Sequence, residues 1–150
     1  MTSVMWFRRD LRLSDNPALL AALSDASDIQ LVPLFVLDLA LTLPAGAARR
    51  AYLEASLTDL GMRGGGLHLR RGDPVREVVE VARAAHASTV HVAEDFAPHG
   101  RQRDLDIEAE LAHHGISLVR TGSAYAVEPG STGTRGGCGD LELSATRSAR

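Results

Sequence analysis

Three charged segments each follow a short apolar run. Arg8, Arg9, Asp10 and Arg12 come after Val4-Met5-Trp6-Phe7, Asp38 comes after Phe35-Val36-Leu37 with Arg49 further on, and Glu94 to Arg101 comes after Val90-His91-Val92-Ala93. A guanidinium in such a place can grip an anionic edge with its planar fork, and a carboxylate can accept hydrogen bonds from a ligand. If the apolar runs are parallel strands, all three segments lie at their carboxyl ends, the side on which open α/β sheets hold ligands. Val36, Leu37, Asp38, Arg49, Asp95, Phe96, His99 and Arg101 would then line a flat, partly apolar pocket. A purely structural alternative stands beside this one. Asp38 and Asp95 suit strand ends and helix caps, and Arg8 to Arg12 suit a salt-bridged loop that fixes the start of a helix.

Other chemistries lack their residues. The loop after the first apolar run contains no glycine, and Glu94 to Arg101 has only Gly100, so no phosphate cradle of dinucleotide-binding type is present. The six histidines form no ligand spacing, the single cysteine, Cys138, permits neither an internal disulfide nor a thiolate cluster, and no serine sits in a nucleophile elbow. All sixteen basic residues are arginine, the net charge is −3, and no basic face stands out. Direct DNA binding by this chain is therefore not expected. The first apolar segment is too short for a signal peptide and no run approaches a membrane span, which makes a cytoplasmic protein the expectation.

The elements that must position these residues alternate between strand and helix from Ser3 to about Arg120. Val4 to Phe7 reads as a buried strand, and Asp15 or Asn16 can cap a helix from Pro17 to Ser24 in which Leu19, Leu20 and Leu23 have core-facing spacing. Ile29 to Leu37 reads as a strand apolar on both faces, with Pro33 its one awkward residue. A helix over Ala47 to Met62 ends at Gly64-Gly65-Gly66, a short strand runs from Leu67 to Arg70, and Asp73-Pro74 opens a helix whose stripe is Val75, Val78, Val79 and Ala82. Thr89 to Ala93, a helix from about Gly100 to His114, and Ile116 to Arg120 complete the series. This order predicts an α/β fold, a Rossmann-like three-layer sandwich with a five-stranded parallel sheet of order 3-2-1-4-5 and helices on both faces. At 150 residues one domain is expected, set at residues 1–128. Residues 129–150, with four glycines between Ser131 and Gly139, are expected to form a disordered tail.

The segment Trp6-Phe7-Arg8-Arg9-Asp10-Leu11-Arg12-Leu13-Ser14-Asp15-Asn16 closely resembles the opening of the photolyase/cryptochrome family, in which it begins the amino-terminal antenna domain. The resemblance is to class I photolyases of the deazaflavin-antenna type. It implies a bound antenna pigment, with residues around Asp38, Arg49 in Arg49-Arg50-Ala51-Tyr52-Leu53, and Asp95 at the pigment. Folate-using members carry Asn-Glu where this chain has His99-Gly100, so 8-hydroxydeazaflavin is expected ahead of methenyltetrahydrofolate or FMN. The family's flavin adenine dinucleotide belongs to a helical domain that follows the segment resembling Tyr125 to Gly130. Arg8, Arg9, Asp10 and Arg12 would face that domain, which is expected to be absent here, as after a truncation or a frameshift. The chain alone is then expected to be inactive in light-driven repair of pyrimidine dimers. A cryptochrome photoreceptor shares the same domain, and a stand-alone nucleotide-binding module shares the architecture.

Overall fold

Alternate residues of β1 (Thr2–Phe7) enter different cores. Val4 and Trp6 pack in one apolar cluster and Met5 and Phe7 in the other, the period of two that a strand buried on both faces must have. The computed structural model describes residues 2–24 and 30–123, and in it β1 is the centre of the sheet. It pairs in parallel with β2 (Gln30–Asp38) on one side and β4 (Ala87–Glu94) on the other. β3 (His68–Gly72) joins β2, and β5 (Ser117–Ser123) joins β4. The order is β3-β2-β1-β4-β5 with all pairs parallel, as the alternation of elements predicts.

Helices cover both faces. α4 (Pro74–Ala84) and α5 (Pro98–Ala112) bury Val78, Val79, Ala82, Ile107 and Leu111 against Val4, Trp6, Leu34, Val90 and Val92. α1 (Pro17–Ser24) and α3 (Ala47–Arg63) bury Ala18, Leu19, Leu57 and Leu60 against Met5, Phe7 and Phe35. Each valine, leucine, isoleucine, methionine or phenylalanine among them, fully buried, contributes about 1.5–3 kcal/mol of transfer free energy, and each alanine less.

Several local expectations change. α1 buries Leu19 with Ala18 and Ala22, while Leu20 and Leu23 are 53% and 51% exposed; the helix rests on the sheet by its small residues rather than by a leucine stripe. Pro33 lies inside β2 opposite Met5 of β1, but β3 joins only from Leu34, so its missing N–H breaks no bond on that side. A four-residue helix, α2 (Leu39–Thr42), follows β2 directly, where no element was expected. α5 begins at Pro98 rather than Gly100, because the proline ring fixes a helical φ at the first position. Ile29 and the tail of residues 129–150 lie outside the described residues.

Asn16 is the cap of α1 and is fully buried. Its Oδ1 accepts from the Leu19 N–H at 3.2 Å, and its Nδ2 donates to the Arg12 carbonyl at 3.1 Å, joining helix and loop. Asp15, just before it, takes a positive φ of 54°, which Asp tolerates better than most residues. Asn16→Ala should remove both bonds and lower stability by about 1–3 kcal/mol, read as a fall in the chemical-denaturation midpoint.

Candidate functional site

Arg8 follows β1 directly and is turned inward. Its guanidinium forks onto Asp104 of α5, Nη1 to Oδ1 at 2.6 Å and Nη2 to Oδ2 at 3.1 Å, and Nη2 also donates to the Ala93 carbonyl of β4. The Arg8 and Asp104 side chains are only 9% and 3% exposed, so this pair works in a desolvated setting. Beneath it lies Trp6, whose ring centroid is 4.7 Å from the Arg8 guanidinium carbon and 5.4 Å from that of Arg103. Two guanidiniums therefore share one indole.

Arg103 is less well served than Arg8. Its Nη2 reaches Asp95 Oδ2 at 3.5 Å, and its Nε stands 3.8 Å from Asp104 Oδ1 and is buried without a hydrogen-bond partner among the described residues. Burial first, and the neighbouring Arg8 charge second, hold this guanidinium below the usual arginine range.

Asp95 follows β4 and is buried. It accepts from the Ala97 N–H at 3.1 Å and so shapes the turn into α5. Gly100 allows this, because a Cβ there would collide with the Asp95 carboxyl and lie 2.8 Å from its Cβ. Asp38 has the equivalent place after β2, where its Oδ1 accepts from the Ala40 N–H at 2.9 Å and caps α2.

Between these two turns opens a crevice of about 430 Å³, lined by Asp38, Gly72, Asp73, His99, Gln102 and Arg103 among others. Of the residues singled out from sequence, Asp38 and His99 meet there. Val36 is part of the core, Leu37 packs against the opposite apolar cluster, and Asp95 sits behind Arg103. Phe96 is half-buried under the exposed Arg101, whose guanidinium carbon is 5.5 Å from the ring centroid. Arg49 is exposed on α3 and does not line the crevice. In the first loop Arg9 and Arg12 face outward while Arg8 does not. Arg12 pairs with Asp10, and that hydrogen bond holds the Asp10 carboxyl below its ordinary range.

Sequence reasoning missed Gln102, Arg103 and α2. A signal for the arginine pair existed: Gly100, Asp104, Ile107 and Leu111 form the buried stripe of α5, and a carboxylate in a buried stripe requires a cation nearby. Among the described residues no group of histidine, cysteine or carboxylate side chains is arranged to hold a metal, and no helix is long and apolar enough to cross a membrane.

The family model described as DNA photolyase matches residues 3–141. The chain belongs to the DNA photolyase family. A deoxyribodipyrimidine photo-lyase of Synechococcus sp. is 40% identical over 123 residues, which is 78% of this chain and 25% of that protein. Cryptochrome DASH of Natronomonas pharaonis is 34% identical, over 78% of this chain and 27% of its own length. A solved archaeal photolyase from Sulfolobus tokodaii, described as holding two FAD molecules with the implication of a novel light-harvesting cofactor, gives a TM-score of 0.73 at 26% identity. That likeness covers 81% of this chain and 29% of the other. This photolyase-family chain thus spans between a quarter and a third of these proteins, as their amino-terminal domain, and the family match continues past Gly130.

The Arg8 to Asp104 pair is the joint between β1, β4 and α5 in this domain. Asp104→Asn should leave the buried Arg8 charge uncompensated and cost about 3–5 kcal/mol, measured by chemical denaturation.

Proposed function

We propose that this domain binds a planar antenna pigment in the crevice between Asp38 and His99, and so serves as the light-harvesting part of a photolyase-like repair flavoprotein. The observation that carries this reading is the crevice itself. It stands at the carboxyl ends of β2 and β3, at the side of α5, and its volume of about 430 Å³ falls in the range of small-molecule sites. The lining sets the carboxylates of Asp38, Asp73 and Asp106 beside the apolar Leu39, Pro74 and Val75, which suits a flat conjugated ligand that presents hydrogen-bond donors. Asp38 and Asp73 each have one carboxylate oxygen engaged by a backbone N–H, at Ala40 and Val75, and keep acceptor capacity for such donors. When bound, the pigment would supply absorption of light and transfer of excitation to a flavin. The chain's own part is to bind and orient the ring and to keep water from one of its faces.

Among pigments, 8-hydroxydeazaflavin is preferred to methenyltetrahydrofolate and FMN. The support is resemblance at Asp38, Arg49 and Asp95, together with His99-Gly100 in place of the folate-type Asn-Glu. Because Arg49 is exposed and outside the crevice lining, Asp38 and His99 carry more of this support than Arg49 does. Repair rather than photoreception is favoured by the higher identity to the Synechococcus photo-lyase, 40% against 34% for the cryptochrome. Dimer cleavage itself is assigned to no residue of this chain.

Titration of the purified chain with each pigment, followed by pigment absorbance and by the emission of Trp6, the one tryptophan, tests the proposal. The deazaflavin should bind at least about tenfold more tightly than the folate, a difference of about 1.4 kcal/mol. Tighter folate binding would reverse the pigment assignment, and binding of neither would remove the antenna role.

A further inference from the structure

α5 returns to the sheet through Gly115, whose φ of 70° is the left-handed conformation that glycine adopts at no steric cost. α4 makes the corresponding turn through His86, with a φ of 50°, where a side chain is strained and glycine would serve. Beside His86 opens a recess of about 680 Å³ at the amino ends of β4 and β5, the opposite end of the sheet from the crevice. Its floor is apolar and buried, made by Ala82, Ala87 and Ile116, and its rim carries the exposed side chains of Arg83, His86 and His114. The one carboxylate in the lining, Glu80, pairs with Arg70 of β3 at 3.1 Å, and Glu110 in the adjoining groove stands 3.6 Å from His113. Arg83, His86 and His114 have no side-chain hydrogen bond or ion pair among the described residues.

The negative ends of the α4 and α5 dipoles account for basic residues gathering here, but not for a histidine kept at the left-handed position. Uncommitted donors around an apolar floor suit an anion with an apolar body. We propose that this recess is a binding site for a phosphate monoester carried on a flat apolar group. Arg83 forks onto the phosphate, His86 and His114 donate at its flanks, and the apolar group lies on Ala82, Ala87 and Ile116. The three peripheral oxygens of such a phosphate give one acceptor atom to each of the three side chains, where a carboxylate has two. The strain at His86 is then retained for the contact it makes. This site is separate from the pigment-binding reading, and neither depends on the other.

The test follows backbone amide shifts of the whole chain by NMR while phenyl phosphate, inorganic phosphate or phenol is added at one pH and ionic strength. Phenyl phosphate should shift the amides of Arg83 to Ala87 and His114 to Ile116, and bind at least about tenfold more tightly than inorganic phosphate or phenol. Arg83→Gln should weaken phenyl phosphate by about tenfold or more and His114→Gln by about threefold or more, while Arg76→Gln, on α4 but outside the recess, changes it by less than about twofold. His86→Gly separates a ligand contact from a purely structural role. It should raise the chemical-denaturation midpoint by relieving strain, yet weaken phenyl phosphate by about threefold or more. Absence of shifts at the recess, phenol or inorganic phosphate binding as tightly as phenyl phosphate, or equal losses from Arg76→Gln and Arg83→Gln would overturn the site. So would an affinity for phenyl phosphate unchanged in His86→Gly.

Discussion

Two guanidiniums held over one indole, with a buried carboxylate between them, set the geometry on which the rest of this domain depends. Arg8 links the end of the central strand to the Ala93 carbonyl of β4 and to Asp104 of α5, so strand, neighbouring strand and covering helix meet in one hydrogen-bonded knot. A buried ion pair of this kind is poor evidence for net stability, since an apolar replacement of both partners is often no worse. Its value lies in direction. Apolar contacts along Val4, Trp6, Ile107 and Leu111 tolerate sliding of the helix on the sheet, whereas a bidentate fork has one arrangement. That fixes how α5 is set on the sheet, and hence where His99, Gln102 and Arg103 stand against Asp38 and Asp73 across the crevice.

Arg103 is the consequence of the same arrangement. With Asp104 turned to Arg8, the adjacent arginine is left with carboxylates at 3.5 and 3.8 Å and an unpaired Nε. Burial, and after it the opposing charge of Arg8 over the same indole, depresses the affinity of Arg103 for its proton. Such under-satisfied charge is costly to fold.

The fold was legible in the sequence because its signals are the strong ones. Strands buried on both faces, such as Val4 to Phe7 and Leu31 to Leu37, alternate with helices opened by Asn16 and by Asp73-Pro74, and few topologies satisfy that order. What escaped was short or shape-dependent. α2 has four residues and buries none, so it leaves no periodic trace. Leu20 and Leu23 look like core residues by type, yet α1 sits on Ala18, Leu19 and Ala22, because close contact with the sheet favours small side chains there. Of the crevice, Asp38 and His99 could be placed by topology alone, since they follow strand ends. Arg103 lies inside a helix, and its importance comes from which way α5 is rotated, a matter settled by Asp104 and Gly100 together.

The two meanings first open for Asp38 and Asp95, helix cap or ligand contact, need not exclude each other. An ionised carboxylate offers about four acceptor sites, and a single N–H from Ala40 or Ala97 uses one. Capping also turns the carboxylate toward the end of the sheet and removes its rotamer freedom, so the remaining sites face the loops already ordered. The two aspartates then part company through their neighbours. Asp95 is buried, packed on Gly100 and shared between Arg103 and Arg9, so its free sites serve the arginines. Asp38 carries no such ion pair among the described residues and lines the crevice, which leaves it the one carboxylate of the pair with acceptor capacity at the crevice wall.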